Sequence, residues 1–204
     1  MNLQKKVLSN KEKSEIKLFL LGAPVIQVKQ GAIIADKYGT AIQNARKWAN
    51  LNKEIIFRHD IGNIIFDERG VKDSLAHGFS QRKLDAVQAI PETIKSGKIV
   101  EVTPDNTGKP QINVIIMAPI QIGENRSILA VRLRKNPGDE HRFYIHEIVD
   151  LPEDNKKGNT IRPLAHDLTV NPQGGTALYI NILQNILDVK EMGNELPLPG
   201  QNNE

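Results

Sequence analysis

The chain is 204 residues long, carries a formal net charge of +3 and has a sequence pI of about 9.0. It contains no cysteine, which excludes disulfides, thiolate zinc sites and a cysteine nucleophile together. Hydrophobic residues make up 39% and aromatic residues 4%, so a core built mainly of Ile, Val, Leu and Ala is expected, and no apolar run approaches the roughly 20 residues that span a bilayer.

Residues 1–20 are polar and rich in Lys and Glu, and read as an N-terminal arm or short helix. Residues 24–35 read as strand material broken by a turn at Gln30-Gly31. Thr40 is placed to cap a helix in which Ala41, Ile42, Ala45, Trp48 and Ala49 recur at helical spacing, with Trp48 as a core anchor. Residues 55–66 read as two short strands around Gly62. Ser74 to His77 form a helical turn ending at Gly78. Ser80 then caps a helix carrying Leu84, Val87 and Ile90, Pro91 suits a first helical position, and Gly97 is a helix stop. From Ile99 the period changes to two, giving strands at 99–103, 111–119, 126–134 and 141–149 with turn-rich connections. Residues 152–176 have no clear period and read as a long loop. Leu178, Ile182, Leu183, Ile186 and Leu187 make the stripe of a closing helix. Helices first, a meander of strands and a final helix define an α+β fold: N-terminal helices on a roughly four-stranded antiparallel sheet. One domain over 21–190 and a disordered tail over 191–204 are expected.

Two stretches could carry chemistry. Ser74 and His77 are three residues apart, hence on one face of a helical turn, with Lys72, Arg82 and Lys83 near in sequence. Neighbouring cations lower a histidine pKa and make it available as a base. The plain alternative is a histidine capping a helix end before Gly78. The second stretch is His141 to Glu147. Strand alternation puts Arg142, Tyr144 and His146 on one face, and Phe143 and Ile145 on a core face. Arg132 and Arg134 of the preceding strand lie opposite Leu129, Val131 and Leu133. A sheet face with Arg, Tyr and His could bind phosphate and move protons, or be an ordinary solvated face. No phosphate-cradling glycine loop, paired-histidine metal motif, two-metal acidic cluster or nucleophile elbow is present, so no metal and no cofactor is expected.

The run GVKDSLAHGFSQRKLDAVQAIPETIKSGKIV, followed by INVIIMAPIQIG and RFYIHEI, resembles a large polyvalent-protein-associated domain of phage and conjugative elements. That domain is grouped with the phage-type barnase–EndoU–colicin–RelE (BECR) nucleases, and the resemblance covers roughly residues 24–190. It implies helices packed on a four-stranded antiparallel sheet, and RNA cleavage as a toxin or phage-encoded effector. Matched by position, the family's polar residues fall on Ser74, His77, Lys83, Tyr144 and His146. Asp73 stands where many relatives carry a histidine, which puts activity in doubt.

The implied mechanism is metal-independent cleavage of RNA through its 2′-hydroxyl. His77 and His146 would be the acid–base pair, Lys83 and Arg142 would stabilise phosphate with Lys72 and Arg82 beside them, and Tyr144 and Ser74 would orient groups. RNA, including tRNA, and an immunity or mobile-element protein are the expected partners. A cytoplasmic location without membrane contact is expected. An alternative is a non-catalytic module that docks RNA or a protein partner. A third reading, nucleotidyl or ADP-ribosyl transfer using His, Tyr and Glu147, suffers because alternation turns Glu147 toward the core.

Overall fold

The computed structural model describes residues 6–34, 38–76, 80–104, 111–135, 141–150 and 176–189. The expected loop over 152–176, apart from Thr176, and the expected tail over 191–204 lie outside these residues. The elements are α1 (Asn10–Leu21), β1 (Ile26–Val28), α2 (Tyr38–Leu51), β2 (Glu54–Arg58), β3 (Gly62–Phe66), α3 (Glu68–Leu75), α4 (Gln81–Ala86), a 3-10 turn (Val87–Ala89), α5 (Ile90–Ser96), β4 (Lys98–Pro104), β5 (Ile112–Ile122), β6 (Asn125–Lys135), β7 (His141–Asp150) and α6 (Thr176–Leu187). Among the described residues no helix is long and apolar enough to cross a membrane.

The fold is α+β. The antiparallel meander β4–β5–β6–β7 is the expected four-stranded core, but the sheet is larger, with seven strands in the order β1-β5-β6-β7-β3-β2 and β4 also on β5. The additions come from the N-terminal half. β1 pairs parallel with the end of β5, and the β2–β3 hairpin joins through parallel pairing of Ile64 and Ile65 with His141 and Arg142. Pro119 sits in β5 between Met117, the last partner of β4, and Ile120, the first partner of β1. It therefore removes an N–H where one neighbouring strand has ended and the next begins.

Both faces of the β4–β7 part of the sheet are covered. On one face α2, α3, α4 and α5 pack Ala41, Ala45, Ala49, Val71, Leu75, Leu84, Ile90 and Ile94 against Val114, Ile116, Leu129, Val131 and Leu133. Alanines four residues apart let α2 lie close to its neighbours, and Trp48 is only partly buried, meeting Phe66 edge-on at 6.1 Å between ring centroids. On the other face α1 and α6 pack Ile16, Leu20, Tyr179, Leu183 and Ile186 against Val100, Ile115, Met117, Ile128 and Ala130. This is why residues 114–120 of β5 read as an unbroken apolar run: there neither face meets water.

Local signals place most helix ends. Ser9 and Glu12 form a reciprocal capping box on α1, Asp67 caps α3 through the N–H groups of Arg69 and Gly70, and Ser80 caps α4 through Lys83 N–H. Thr40 does not cap α2, which starts earlier, at Tyr38. Two arginines close the carbonyl ends of helices, where the dipole favours a cation. Arg126 reaches the carbonyls of Leu20, Leu21 and Gly22 after α1, and Arg58 donates to the carbonyls of Ile94 (2.6 Å) and Gly97 (2.8 Å) after α5. Gly97 ends α5 against the sheet. A Cβ there would stand 2.5 Å from the Thr93 carbonyl oxygen and 2.7 Å from an Ile116 methyl, so no other residue fits unless the backbone moves.

Candidate functional site

Three of the polar residues singled out in the sequence, Ser74, Lys83 and His146, meet beside β7. β3 pairs with β7 only at His141 and Arg142, and α3 and α4 pack against β7 as well. Ser74, in the last turn of α3, serves as an acceptor at this edge. Its Oγ accepts the His146 backbone N–H at 2.8 Å, and the same hydroxyl lies 2.5 Å from His146 Nδ1. The other ring nitrogen, Nε2, lies 2.9 Å from the Lys83 carbonyl oxygen in α4. A carbonyl can only accept, so Nε2 carries the proton and Nδ1 accepts from the serine hydroxyl. The imidazole is held neutral in one tautomer.

Burial strengthens this arrangement. His146 and Ser74 are both 0% exposed. Removal from water, followed by the nearby Lys83 ammonium, pushes the His146 imidazole down to about 3, against the smaller opposing pull of the Lys83 carbonyl. Lys83 Nζ is itself paired with Glu147 Oε1 at 3.0 Å, with the two side chains 8% and 13% exposed. Serine, histidine, lysine and glutamate thus form one knot tying α3 and α4 to β7.

The expectation that His146 lies with Arg142 and Tyr144 on an open face is corrected. The β6–β7 register shifts between Arg132 and Leu133: Leu133 stands opposite Phe143, but Arg132 stands opposite Ile145. Tyr144 is the extra residue of a bulge, and simple alternation fails across it. His146 falls opposite Val131, on the face covered by α3 and α4. At Arg132 the other face is covered as well. Arg132 lies beneath α6, where its guanidinium donates to Asn113 Oδ1 at 2.9 and 3.1 Å. Beside it, burial pushes the Tyr179 phenol up to about 12, despite the opposing pull of Arg132.

Of the expected site residues, the structure brings together Ser74, Lys83 and His146. Lys72 is exposed on α3, and Arg82 turns to the Ser127 hydroxyl. His77 lies outside the described residues, and so do the side chains of Arg142 and Tyr144. Glu147 is the member of the knot that sequence reading left without a role there. Strand parity alone turned it inward, and nothing in sequence links it to Lys83, 64 positions away. Among the described residues no cluster of three or more acidic or imidazole groups could hold a metal ion.

Fold and knot together define a mixed α+β domain whose central strands are helix-covered on both faces, with Ser74, Lys83, His146 and Glu147 drawn together where α3 and α4 meet β7. Residues 37–144 match the family model of large polyvalent protein-associated domain 3, and the chain belongs to that family. No curated protein and no solved structure matches it.

Proposed function

We propose that this domain is a non-catalytic protein-docking module of a polyvalent protein. The observation that carries the reading is the state of His146: fully buried, neutral, with both ring nitrogens hydrogen-bonded within the domain. General acid–base catalysis needs a group within reach of the substrate proton and a pKa near the working pH. A buried imidazole held at about 3 meets neither condition. The cations point the same way. Lys83, Arg58, Arg126 and Arg132 all serve acceptors inside the domain, which leaves less positive charge for a phosphate backbone than the composition suggests.

Ribonuclease action through His77 and His146, with Lys83, Tyr144 and Ser74 assisting, is the competing reading. The test is incubation of the folded domain with total RNA and tRNA in chelator, followed by analysis of product ends. The docking reading expects intact RNA across neutral and mildly acidic pH. Cleavage leaving 2′,3′-cyclic phosphates, lost in His77→Ala, would overturn it.

A further inference from the structure

β2 is the last strand of the sheet, and among the described residues nothing pairs with its outer edge. Ile61 N–H donates to the Arg58 carbonyl at 3.1 Å across the hairpin turn, with Gly62 (φ +102°) closing the loop, so the polar backbone groups of Arg58 face β3. These groups alternate along a strand. Those of Ile56 and Glu54 therefore also face β3, and the N–H and C=O groups of Ile55 and Phe57 point outward.

The same two residues are large, apolar and exposed: Ile55 at 65% and Phe57 at 69%. They lie on the sheet face opposite buried Ile56, next to half-buried Ile65, the partner of Ile55 in β3. Edge strands are ordinarily protected by free charges, prolines or bulges. β2 has no such guard. Glu54 is paired with Lys95 at 3.0 Å, and Arg58 is engaged by Asp60, Ile94 and Gly97.

We infer that β2 pairs antiparallel with β2 of a second copy of this chain, about a two-fold axis through Ile56. The sequence Glu54-Ile-Ile-Phe-Arg58 suits that symmetry. An antiparallel ladder bonds outward-facing residues to outward-facing residues, so a slip by one forms no ladder. In the register centred on Ile56, Ile55 stands opposite Phe57 of the second copy, twice, and Glu54 stands opposite Arg58 of the second copy. Opposite charges face each other and no like charges do. A slip by two in either direction sets Phe57 opposite Lys53, or Ile55 opposite the turn residue His59, and loses an apolar pair. In the favoured register Ile65, Ile55 and Phe57 from both copies form one apolar band across the joined sheet. A two-fold contact of this kind closes on itself and stops at a dimer. A five-residue strand makes a small interface, so the dimer is concentration-dependent. The inference goes beyond the docking role and stands whether or not RNA is cleaved.

Sedimentation of the full chain from low micromolar to submillimolar concentration tests it. The weight-average mass is expected to rise from 22.8 kDa toward twice that value. Ile55→Lys and Phe57→Lys should each hold the chain at the monomer mass with unchanged circular dichroism and melting. The absence of native cysteine allows a register test. A mixture of Ile55→Cys and Phe57→Cys chains should oxidise to a disulfide dimer faster than either alone. A monomer at every concentration, a dimer indifferent to both lysines, or cross-linking no faster in the mixture would each overturn the inference.

Discussion

The two sides of the β3–β7 pairing differ in a way that inverts ordinary expectation. Beside β7, where water is excluded, the chain gathers a serine, a histidine, a lysine and a glutamate. On β2, in contact with solvent, it places isoleucine and phenylalanine. These four polar groups are tolerated because each finds a partner, and they fix the position of α3 and α4 through direction-dependent bonds. Exposed apolar groups on an unguarded edge add little to the fold of the single chain and are free to meet another surface. Ser74, Lys83 and His146, residue types common in catalytic sites, here bond helices to the sheet, while the hydrophobic side chains of Ile55 and Phe57 face solvent.

That contrast can be broken most forcefully at the ion pair. Lys83→Met leaves Glu147 as an unpaired, partly buried charge and is expected to lower unfolding free energy by about 3 kcal/mol in urea titration. Lys83→Met combined with Glu147→Leu should recover most of that loss. A double variant no more stable than the single one would show that the pair does not act as a unit.

Ser74→Ala is next in size. It leaves both the His146 backbone N–H and Nδ1 without their partner, at a cost of about 2–3 kcal/mol by the same measurement. Stability should also fall with pH in a defined window. The folded His146 pKa of about 3 lies below the ordinary 6.5, so between them the unfolded chain binds more protons. The contribution of His146 is complete above pH 6.5 and is lost as pH falls toward 3, with a slope approaching about 1.4 kcal/mol per pH unit. His146→Gln should flatten the curve between pH 6.5 and 4.5, above the range where Asp60 and Glu12 titrate. An unchanged slope in His146→Gln would assign the acid sensitivity elsewhere. The smallest effect is at the edge: Ile55→Lys or Phe57→Lys should change unfolding free energy by less than about 0.5 kcal/mol.

Much of the fold was legible because its signals are local. The β4–β7 meander follows from apolar strand runs divided by turn-rich connections, α4 from Ser80, and the end of α5 from Gly97. The membership of the candidate site was partly legible too: Ser74, Lys83 and His146 were all singled out, and they do converge. Their arrangement was not legible, for two physical reasons. A one-residue bulge at Tyr144 reverses the alternation on which the face of His146 depends, and a bulge has no reliable signature in a single sequence. Alternation also says which residues share a face, but not what covers it. α6 lies over Arg132 although it follows β7 by 25 undescribed positions, and periodicity within either segment cannot reveal that. The enlargement of the sheet was hidden likewise, since parallel pairing of β3 with β7 joins residues more than 70 positions apart.

That last pairing has a consequence for how the chain reaches its structure. The β4–β7 meander consists of neighbours in sequence and can form by short loop closures, whereas β1, β3 and Ser74 find their partners only after β5 or β7 exists. During synthesis the β2–β3 hairpin therefore emerges well before the strand that will hold it, with both of its edges open and Ile55 and Phe57 uncovered. The early half of this domain is the part most prone to pair with a neighbouring nascent chain, and the arrival of His141 and Arg142 closes that interval on one side.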